Sequence, residues 1–573
     1  MQQDTVQNPE KIFDFLIVGG GSAGCVLANR LSADRRRRVL LIEAGADTPP
    51  ERVPAEILDS YPLPIFMGDK YIWPDLRVTV RGDTHNAHVP VSRIYEQARV
   101  MGGGSSINVQ AANRGLPRDY EEWVNAGASG WGWSDVLPYF CRLERDMDFD
   151  GPLHGRQGPI PIRRIFREAW PAFPQAIGEQ FRAGGFRDLQ DQNGEFEDGI
   201  LPPTISNAYD RRVSTAIAYL DPATRNRSNL EILADTTVET ILMDGNSARG
   251  VVVRRKNGER TEIGCHTLVL AAGALQSPAL LMHAGIGPAD HLQALGIPVV
   301  ADRPGVGANL QDHPSLTFCQ FLPKALRFPR TMRRVSLISL RFSSGVEGGV
   351  PSDMYIATSG RSAWHELGMR LGLYFLWCNK PYSRGRVRLA SPDHGAYPLV
   401  DFNLLADERD LERLVAGVQR LIDLVGKPPL ISDLDDLFPA AFSPRVKAVS
   451  QVSAMNRVLN SAVGVLLDSP ANFRRKLIRE VLTGGLTARH LIHDRERLVQ
   501  YAREHVFGVW HASGTCRMGS SEDRYAVTDP QGRVYGTENI RVVDASVIPI
   551  LPSANTNIPV IMIAEKMSDA MLQ

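Results

Sequence analysis

Six cysteines in 573 residues, none in a CxxC pair, leave this chain without a zinc-ligand pattern or a disulfide framework. Cys25, Cys141, Cys265, Cys319, Cys378 and Cys516 are scattered, which suits a reducing compartment, and Cys378 and Cys516 read as small buried residues rather than nucleophiles. Neither sign of charge is in excess: 64 basic residues face 64 acidic ones, so there is no electrostatic footprint for nucleic acid. No apolar run reaches the roughly 18–20 residues of a membrane-spanning helix. A peripheral membrane contact stays open, because an amphipathic surface binds lipid without such a run. The start, Met1 to Pro9, is polar and lacks the basic-then-apolar order of a secretory signal. These absences point to a cytoplasmic protein, with the periphery of the inner membrane as the other location. Internal repeats, low-complexity tracts and a metal-ligand constellation are missing as well.

What is present is a chain too long for one ordinary core, 43% apolar, for which two domains are the expectation. Phe13 to Val18 reads as a buried parallel strand, Gly19 to Gly21 as a tight turn, Ala23 to Leu31 as a helix, and Val39 to Glu43 as a second strand ending in an acid. This strand, helix, strand unit of about 30 residues is a nucleotide-binding half-domain. Gly19, Gly21 and Gly24 form GxGxxG: one turns the chain, one lets backbone approach a pyrophosphate, one packs helix on strand. The diphosphate then sits on the helix start at Ser22 and Ala23, where free N–H groups and the dipole favour anions. Glu43, just before Ala44, is placed to bind a ribose 2′-hydroxyl and argues against NADP.

A second cofactor-like strand, Thr267 to Leu270, runs into Ala271-Ala272-Gly273-Ala274 and a helix from Ser277. Leu230 to Arg255 alternates like antiparallel ribbon, with turns at Gly245 and Gly250. Ile540 to Asp544 is a third buried strand, and Ile558 to Met571 a closing helix. The expected division is a discontinuous nucleotide domain, 1–160, 222–311 and 505–573, with a second domain from 161–221 and 312–504.

The most informative single residue is His511, in Val509-Trp510-His511-Ala512-Ser513-Gly514; 44 positions later comes Asn555, in Ser553-Ala554-Asn555-Thr556-Asn557. A histidine base and an amide donor can thus face one reacting hydroxyl. His313 reads as structural, and His490, His493 and His505 as surface or packing residues. Asn557 reads as a helix-start residue first and a catalytic candidate second, and its side chain is also placed to cap the helix. Trp131 and Trp133 are assigned to packing, Trp510 either to the pocket border or to the core.

Ala98-Arg99-Val100-Met101-Gly102-Gly103-Gly104-Ser105-Ser106-Ile107-Asn108 with Asn113-Arg114-Gly115, the run Gly273 to Leu281, and Pro304-Gly305-Val306-Gly307-Ala308-Asn309-Leu310-Gln311-Asp312-His313 resemble, in order, blocks of the glucose-methanol-choline (GMC) flavin oxidoreductases. With His511, Val542 to Ser546 and Asn555, the likeness spans nearly the whole chain and is nearest the choline-dehydrogenase-like branch. Met101 and Ala284 depart from the usual residues without disturbing packing. The resemblance implies an α/β fold: a Rossmann-like FAD-binding domain and an α+β substrate domain built on an antiparallel sheet. It places Arg99, Met101, Gly102, Gly103, Ser106, Asn108 and Val109 along the flavin ring, and Val238 at the adenine. Ala272 and Gly273 join the cofactor set; Asp544 and Ala545 lie near the ribityl and pyrophosphate, and Asn555, Thr556 and Asn557 at the start of the closing helix, whose N-terminus faces the flavin N1/C2 edge. Ile107 stands where some members carry a histidine bonded to the ring, so the FAD is expected to be non-covalent.

The implied chemistry is oxidation of an alcohol, a primary one by preference, to an aldehyde. His511 takes the hydroxyl proton, Asn555 holds the oxygen, and hydride leaves for flavin N5. Electrons pass to a quinone-type carrier or to oxygen, and the branch favours the former. The alternatives are a hydroxynitrile lyase or a photodecarboxylase on the same fold. The stretch Leu322 to Tyr382 should contribute to the pocket; its Arg327, Arg330, Arg333, Arg334 and Arg341 read as solvated in the first instance and as contacts for an anionic substrate in the second. No aromatic cage for a quaternary ammonium is evident.

Overall fold

A computed structural model describes residues 12–81, 91–440 and 444–573; the polar start Met1 to Pro9 lies outside the described residues. Strand Ile12–Val18 runs straight into Gly19, and the chain re-enters as helix Ser22–Leu31 and strand Val39–Ile42. Leu16, Ile17 and all four residues of Val39–Ile42 are buried, as apolar strands covered on both faces must be. The expected strand, helix, strand unit is therefore present to within a residue or two at each end.

The sheet that grows from it has the order Leu230–Leu233, Val39–Ile42, Ile12–Val18, Arg260–Leu270, all parallel, with Ile540–Val542 parallel beside the far end of Arg260–Leu270. Two readings are corrected here. The segment Leu230–Leu233 is not part of the antiparallel ribbon: it pairs in parallel with Val39–Ile42, and the ribbon begins at Thr236. The second cofactor strand is also far longer than four residues. Its first half, Arg260 to Gly264, pairs antiparallel with Ser247–Arg255, and its second half enters the parallel sheet. One strand thus welds ribbon to sheet, an arrangement hidden from any local alternation pattern.

A second, antiparallel sheet has the order Leu437–Pro439, Pro314–Phe321, Leu371–Cys378, Met354–Ser359, Ser339–Phe342, Gly199–Leu201. Period-two alternation divides its faces. Met354, Ile356, Leu376 and Cys378 turn toward helix Glu408–Val425, where a Cβ on Gly417 would meet the Met354 side chain at 2.6 Å and the Cys378 thiol reaches the Asp410 carbonyl. Tyr355, Ala357, Ser359, Leu373, Phe375 and Trp377 turn the other way, into the main cavity. The short strand Phe507–Gly508 pairs with Pro314 and Ser315 and delivers the following residues to that cavity. Trp131 is core, as expected, and Trp133 packs on Tyr120 and Phe140. All six cysteines are free thiols. Among the described residues no helix is long and apolar enough to cross a membrane.

Glu144, Asp146 and His154 bring ligand-type atoms within 4.8 Å of one another. Arginines occupy the same carboxylates, however: Arg114 on Glu144, and Arg164 on Asp146 and Asp191. The cluster is a buried ion-pair network tying strand Glu144–Asp146 to its neighbours rather than a cation site. His154 completes it, with Nδ1 3.0 Å from Asp146, Nε2 2.9 Å from Asp191 and a side chain 5% exposed. Burial opposes its charge, but the close carboxylates of Asp146, Asp191 and Glu144 outweigh burial and push its pKa up to about 11. Because the folded value lies above the ordinary 6.5, this stabilisation is complete below 6.5 and fades as pH rises toward 11. His154→Leu is expected to cost roughly 3–5 kcal/mol, as removal of one member of a buried ion cluster does. In thermal melts the deficit against the parent should be larger at pH 6 than at pH 9.

Candidate active site

The cavity between the parallel sheet and the aromatic face of the antiparallel sheet has a volume of about 770 Å³. At one end it is framed by backbone. Gly19 has φ +105°, and a Cβ there would meet the Ala271 carbonyl oxygen at 2.4 Å; a Cβ on Gly24 would meet the Gly19 carbonyl oxygen at 1.9 Å. Those two glycines are demanded by the fold itself. Gly21 is different, since the nearest atom to a Cβ there is 3.9 Å away, and the position faces the cavity. Helix Ser22–Leu31 starts at Gly21 with no side-chain cap and no acid in its first turn, so its leading N–H groups are free for an anion from the cavity.

Glu43 closes the far side, 7% exposed, with one oxygen accepting the Gly20 N–H and the other the Gly45 N–H, both at 2.8 Å. Burial pushes its pKa up to about 7, against those two hydrogen bonds and the Arg99 charge. Asp544 is buried as well. It accepts from Gly273 N at 2.9 Å, Ser277 Oγ at 2.6 Å and Ser546 N at 2.8 Å, and so joins two segments that are remote in sequence.

Most of the expected cofactor residues line this cavity: Gly19, Gly21, Ser22, Ala23, Glu43, Ala44, Arg99, Gly103, Asn108, Val109, Val238, Ala272, Gly273, Asp544, Ala545, Asn555, Thr556 and Asn557. Gly24, Met101, Gly102 and Ser106 are not in its wall. They form the layer behind it, where Ser106 Oγ donates to the Met101 carbonyl at 2.8 Å and a Cβ on Gly102 would meet that Oγ at 2.4 Å. Gly103 has φ +51°, and a Cβ on it would meet Gly21 Cα at 2.7 Å, so the two glycine turns interlock. The Asn108 oxygen accepts from Arg212 at 2.7 Å and from Gln110 N at 2.9 Å, leaving its amide nitrogen without a partner among the described residues. Asn557 does not cap the closing helix, Asn557–Leu572, of which it is the first residue; its Oδ1 instead accepts from Ser22 Oγ at 2.9 Å, joining the first helix of the chain to the last. Residues that the motifs did not single out also line this end, among them Trp73, stacked under the Arg99 guanidinium at 4.7 Å, and Tyr397 beside it.

At the other end His511 and Asn555 meet, Nε2 to Nδ2, at 3.1 Å. His511 Nδ1 lies 2.9 Å from His313 Nδ1, and His313 Nε2 lies 3.2 Å from the Pro552 carbonyl oxygen. This chain fixes the protons. Burial pushes His313 down to about 3, so its ring is neutral and carries one hydrogen. A carbonyl only accepts, which puts that hydrogen on His313 Nε2 and makes its Nδ1 an acceptor. His511 must then donate from Nδ1, leaving Nε2 as a bare lone pair directed at the Asn555 amide and the cavity. Burial, with the field of His313 second, holds His511 well below its ordinary value, so it too is neutral.

Backbone ties hold the chain of rings in place. Asp312 Oδ1 accepts the N–H of His313 at 2.8 Å, His511 at 3.0 Å and Val509 at 3.1 Å. Asp119 accepts Ser553 N at 2.8 Å, and Asn113 accepts Asn555 N at 3.1 Å. Trp510, in the left-handed region at φ 61°, turns its ring into the cavity wall and donates to Glu96 at 2.9 Å. It borders the pocket rather than the core. Next to it, Phe507 packs on Phe375, Phe375 on Trp377, and Trp377 stacks on Tyr355 at 4.6 Å. The sequence names the stretch Leu322 to Tyr382 as a contributor to the pocket but gives no pocket role to Tyr355, Phe375 or Trp377 individually; strand alternation across Met354–Ser359 and Leu371–Cys378 is the available signal.

Comparison with known proteins is consistent along the chain. Family models described as GMC oxidoreductase match residues 13–315 and residues 381–564. A 5-(hydroxymethyl)furfural oxidase of Methylovorus sp. is 42% identical, covering 98% of this chain and 99% of that protein. An oxygen-dependent choline dehydrogenase of Rhizobium etli is 32% identical, covering 98% and 95%. Among solved structures, pyridoxine 4-oxidase from Mesorbium loti superposes with a TM-score of 0.78 at 28% identity, covering 97% of this chain and 99% of that one. A nucleotide cradle at one end, a histidine with a bare lone pair at the other, and these matches over nearly every residue between them make the chain a member of the GMC family of FAD-dependent oxidoreductases.

Proposed function

We propose that this chain oxidises a primary alcohol carried on a small aromatic ring to the aldehyde, with oxygen as the electron acceptor. The observation that carries the reading is the proton-fixed chain from the Pro552 carbonyl through His313 to His511, ending in a lone pair that faces Asn555. Bound FAD supplies the hydride acceptor. His511 Nε2 accepts the hydroxyl proton of the substrate, and the Asn555 amide donates to the same oxygen and holds its developing charge. Each satisfies the other until a hydroxyl comes between them. Proton uptake at Nε2 leaves His511 cationic, with Nδ1–H still donating to His313.

The aromatic face of Tyr355, Phe375, Trp377 and Trp510 supports a flat ring as the substrate body. The relative at 42% identity is named for a furan alcohol and is an oxidase, which moves the acceptor from the quinone-type carrier first favoured toward oxygen. Aromatic residues do gather in the cavity, but the buried Arg334 in the same wall disfavours a quaternary ammonium such as choline. The lyase and photodecarboxylase alternatives draw no support from the relatives.

For the cofactor, Gly21, Ser22 and Ala23 would hold the pyrophosphate on the helix start, Glu43 the ribose and Asn108 the flavin ring. The uncapped helix and the room at Gly21 support this fit. Ile107, aliphatic and in the cavity wall, supports non-covalent FAD. The same reading assigns 1–160, 222–311 and 505–573 to the FAD-binding domain and 161–221 with 312–504 to the substrate domain; the parallel sheet draws on the first set, and Tyr355, Phe375 and Trp377 of the aromatic wall on the second, with Trp510 added from the first. The free thiols support a cytoplasmic location.

The following outcomes test these assignments. In anaerobic stopped-flow with 5-(hydroxymethyl)furfural, His511→Ala should slow flavin bleaching by at least 10²–10⁴-fold and Asn555→Ala by about 10²–10³-fold; an unimpaired His511→Ala variant would remove the assigned base. Because His511 sits well below its ordinary 6.5 and acts unprotonated, kcat/KM should be flat from pH 7 upward and fall only on the acid side of 6.5. Gly21→Ala should leave the melting temperature of the FAD-free protein within a degree or two while weakening FAD binding about 10-fold or more. Gly24→Ala should lower that melting temperature, because its Cβ strikes the Gly19 carbonyl. In each case acid precipitation should release all flavin into the supernatant.

A further inference from the structure

The five arginines between residues 327 and 341 have different fates. Arg327 pairs with Asp468, Arg330 with Glu366 and Arg333 with Asp59, all toward the surface. Arg341 is buried but spends its donors on backbone, reaching the Glu197 carbonyl at 2.9 Å. Arg334 alone lines the main cavity, at 7% exposure. It has no ion pair and no hydrogen bond among the described residues, and its Nε is buried without a partner. The expectation of a solvated side chain fails for it.

Its surroundings do not neutralise it. Among the described residues the carboxylate whose field reaches it belongs to the exposed Asp210, and Arg163 and Arg212 add positive charge. Arg212, itself buried, donates to the Ile57 carbonyl and to Asn108 and leaves Nη2 unpartnered. A guanidinium does not shed its proton at neutral pH, so Arg334 stays a buried cation in the cavity wall with a donor to spare, and Arg212, outside that wall, is a second buried cation whose field it shares. Leaving a charge buried without a counter-ion is among the costlier arrangements a fold can hold, and a cavity wall is where a ligand relieves it.

We propose that Arg334 binds a carboxylate on the substrate, so that the preferred alcohols are aromatic hydroxymethyl compounds bearing an acid group elsewhere on the ring. The planar fork of the guanidinium matches the two oxygens of a carboxylate. The aromatic face of Tyr355, Phe375 and Trp377 lies in the same cavity as both Arg334 and His511, and the proposed substrate would present its acid to the first and its alcohol to the second. This inference rests on the alcohol oxidation proposed above and names the substrate class for that site.

The test uses the FAD-loaded enzyme and compares 5-(hydroxymethyl)furan-2-carboxylate with 5-(hydroxymethyl)furfural in anaerobic flavin reduction. It adds furan-2-carboxylate, which carries no alcohol, as a binding probe read by the shift of the flavin band. In Arg334→Met the ratio of kcat/KM for acid over neutral alcohol should fall about 10- to 100-fold, and furan-2-carboxylate should bind weaker by a similar factor. Arg334→Lys, which keeps the charge but not the fork, should fall between; it carries the test if the Met variant does not fold. An unchanged ratio, or undiminished furan-2-carboxylate binding, in the substituted enzyme would overturn the proposal. If neither alcohol bleaches the parent flavin, alcohol oxidation fails, while furan-2-carboxylate binding still decides the role of Arg334.

Discussion

Asp312 gathers three backbone N–H groups onto a single oxygen, from His313 on its own strand lead-in and from Val509 and His511 nearly two hundred residues later. Burial pushes its acid up to about 7 despite those bonds, so the carboxylate is held out of water by the segments it organises. The geometry leaves no slack: a Cβ on Gly508 would meet Asp312 Oδ2 at 2.1 Å, so the chain can pass only as glycine. The pairing of Phe507–Gly508 with Pro314 and Ser315, the approach of the two imidazoles and the aim of His511 Nε2 all follow from that one tie.

The same device recurs around the cavity. Glu43 joins the first glycine turn to Gly45, Asp544 joins the second cofactor strand to the third, and Asp119 joins the cap of helix Pro117–Asn125 to Ser553. Each carboxylate is buried, and each offsets its desolvation by accepting N–H groups from backbone that sequence alone would not bring together. A chain that builds one parallel sheet from three remote stretches needs such staples, because neither sheet by itself fixes where the loops at its edge must lie. Arg334 is the counter-case. It is a buried charge in the same cavity for which the protein supplies no partner.

What was legible in the sequence was local. The Ile12–Val18 strand, its glycine turn, the following helix and Val39–Ile42 are continuous, and their periodicity and turn chemistry agree. Leu230–Leu233 was misread because four residues carry no useful period and the partner strand lies about 190 residues earlier. His313 reads as structural, and the structure keeps it so; what the sequence does not show is that the group it positions is an imidazole 198 positions on. Asn557 read as a cap because helix-start asparagines usually are, whereas here Ser22 claims its oxygen. The five arginines look alike as letters and differ only in which carboxylate, if any, lies within reach.

The central claim is that the Pro552 carbonyl, through His313, dictates which nitrogen of His511 is bare. Neutron diffraction from crystals of the oxidised, FAD-loaded enzyme exchanged into deuterated buffer near pH 8 reads this directly. The account predicts deuterium on His313 Nε2 and on His511 Nδ1, and none on His511 Nε2. Deuterium on His511 Nε2, with Nδ1 bare, would contradict it.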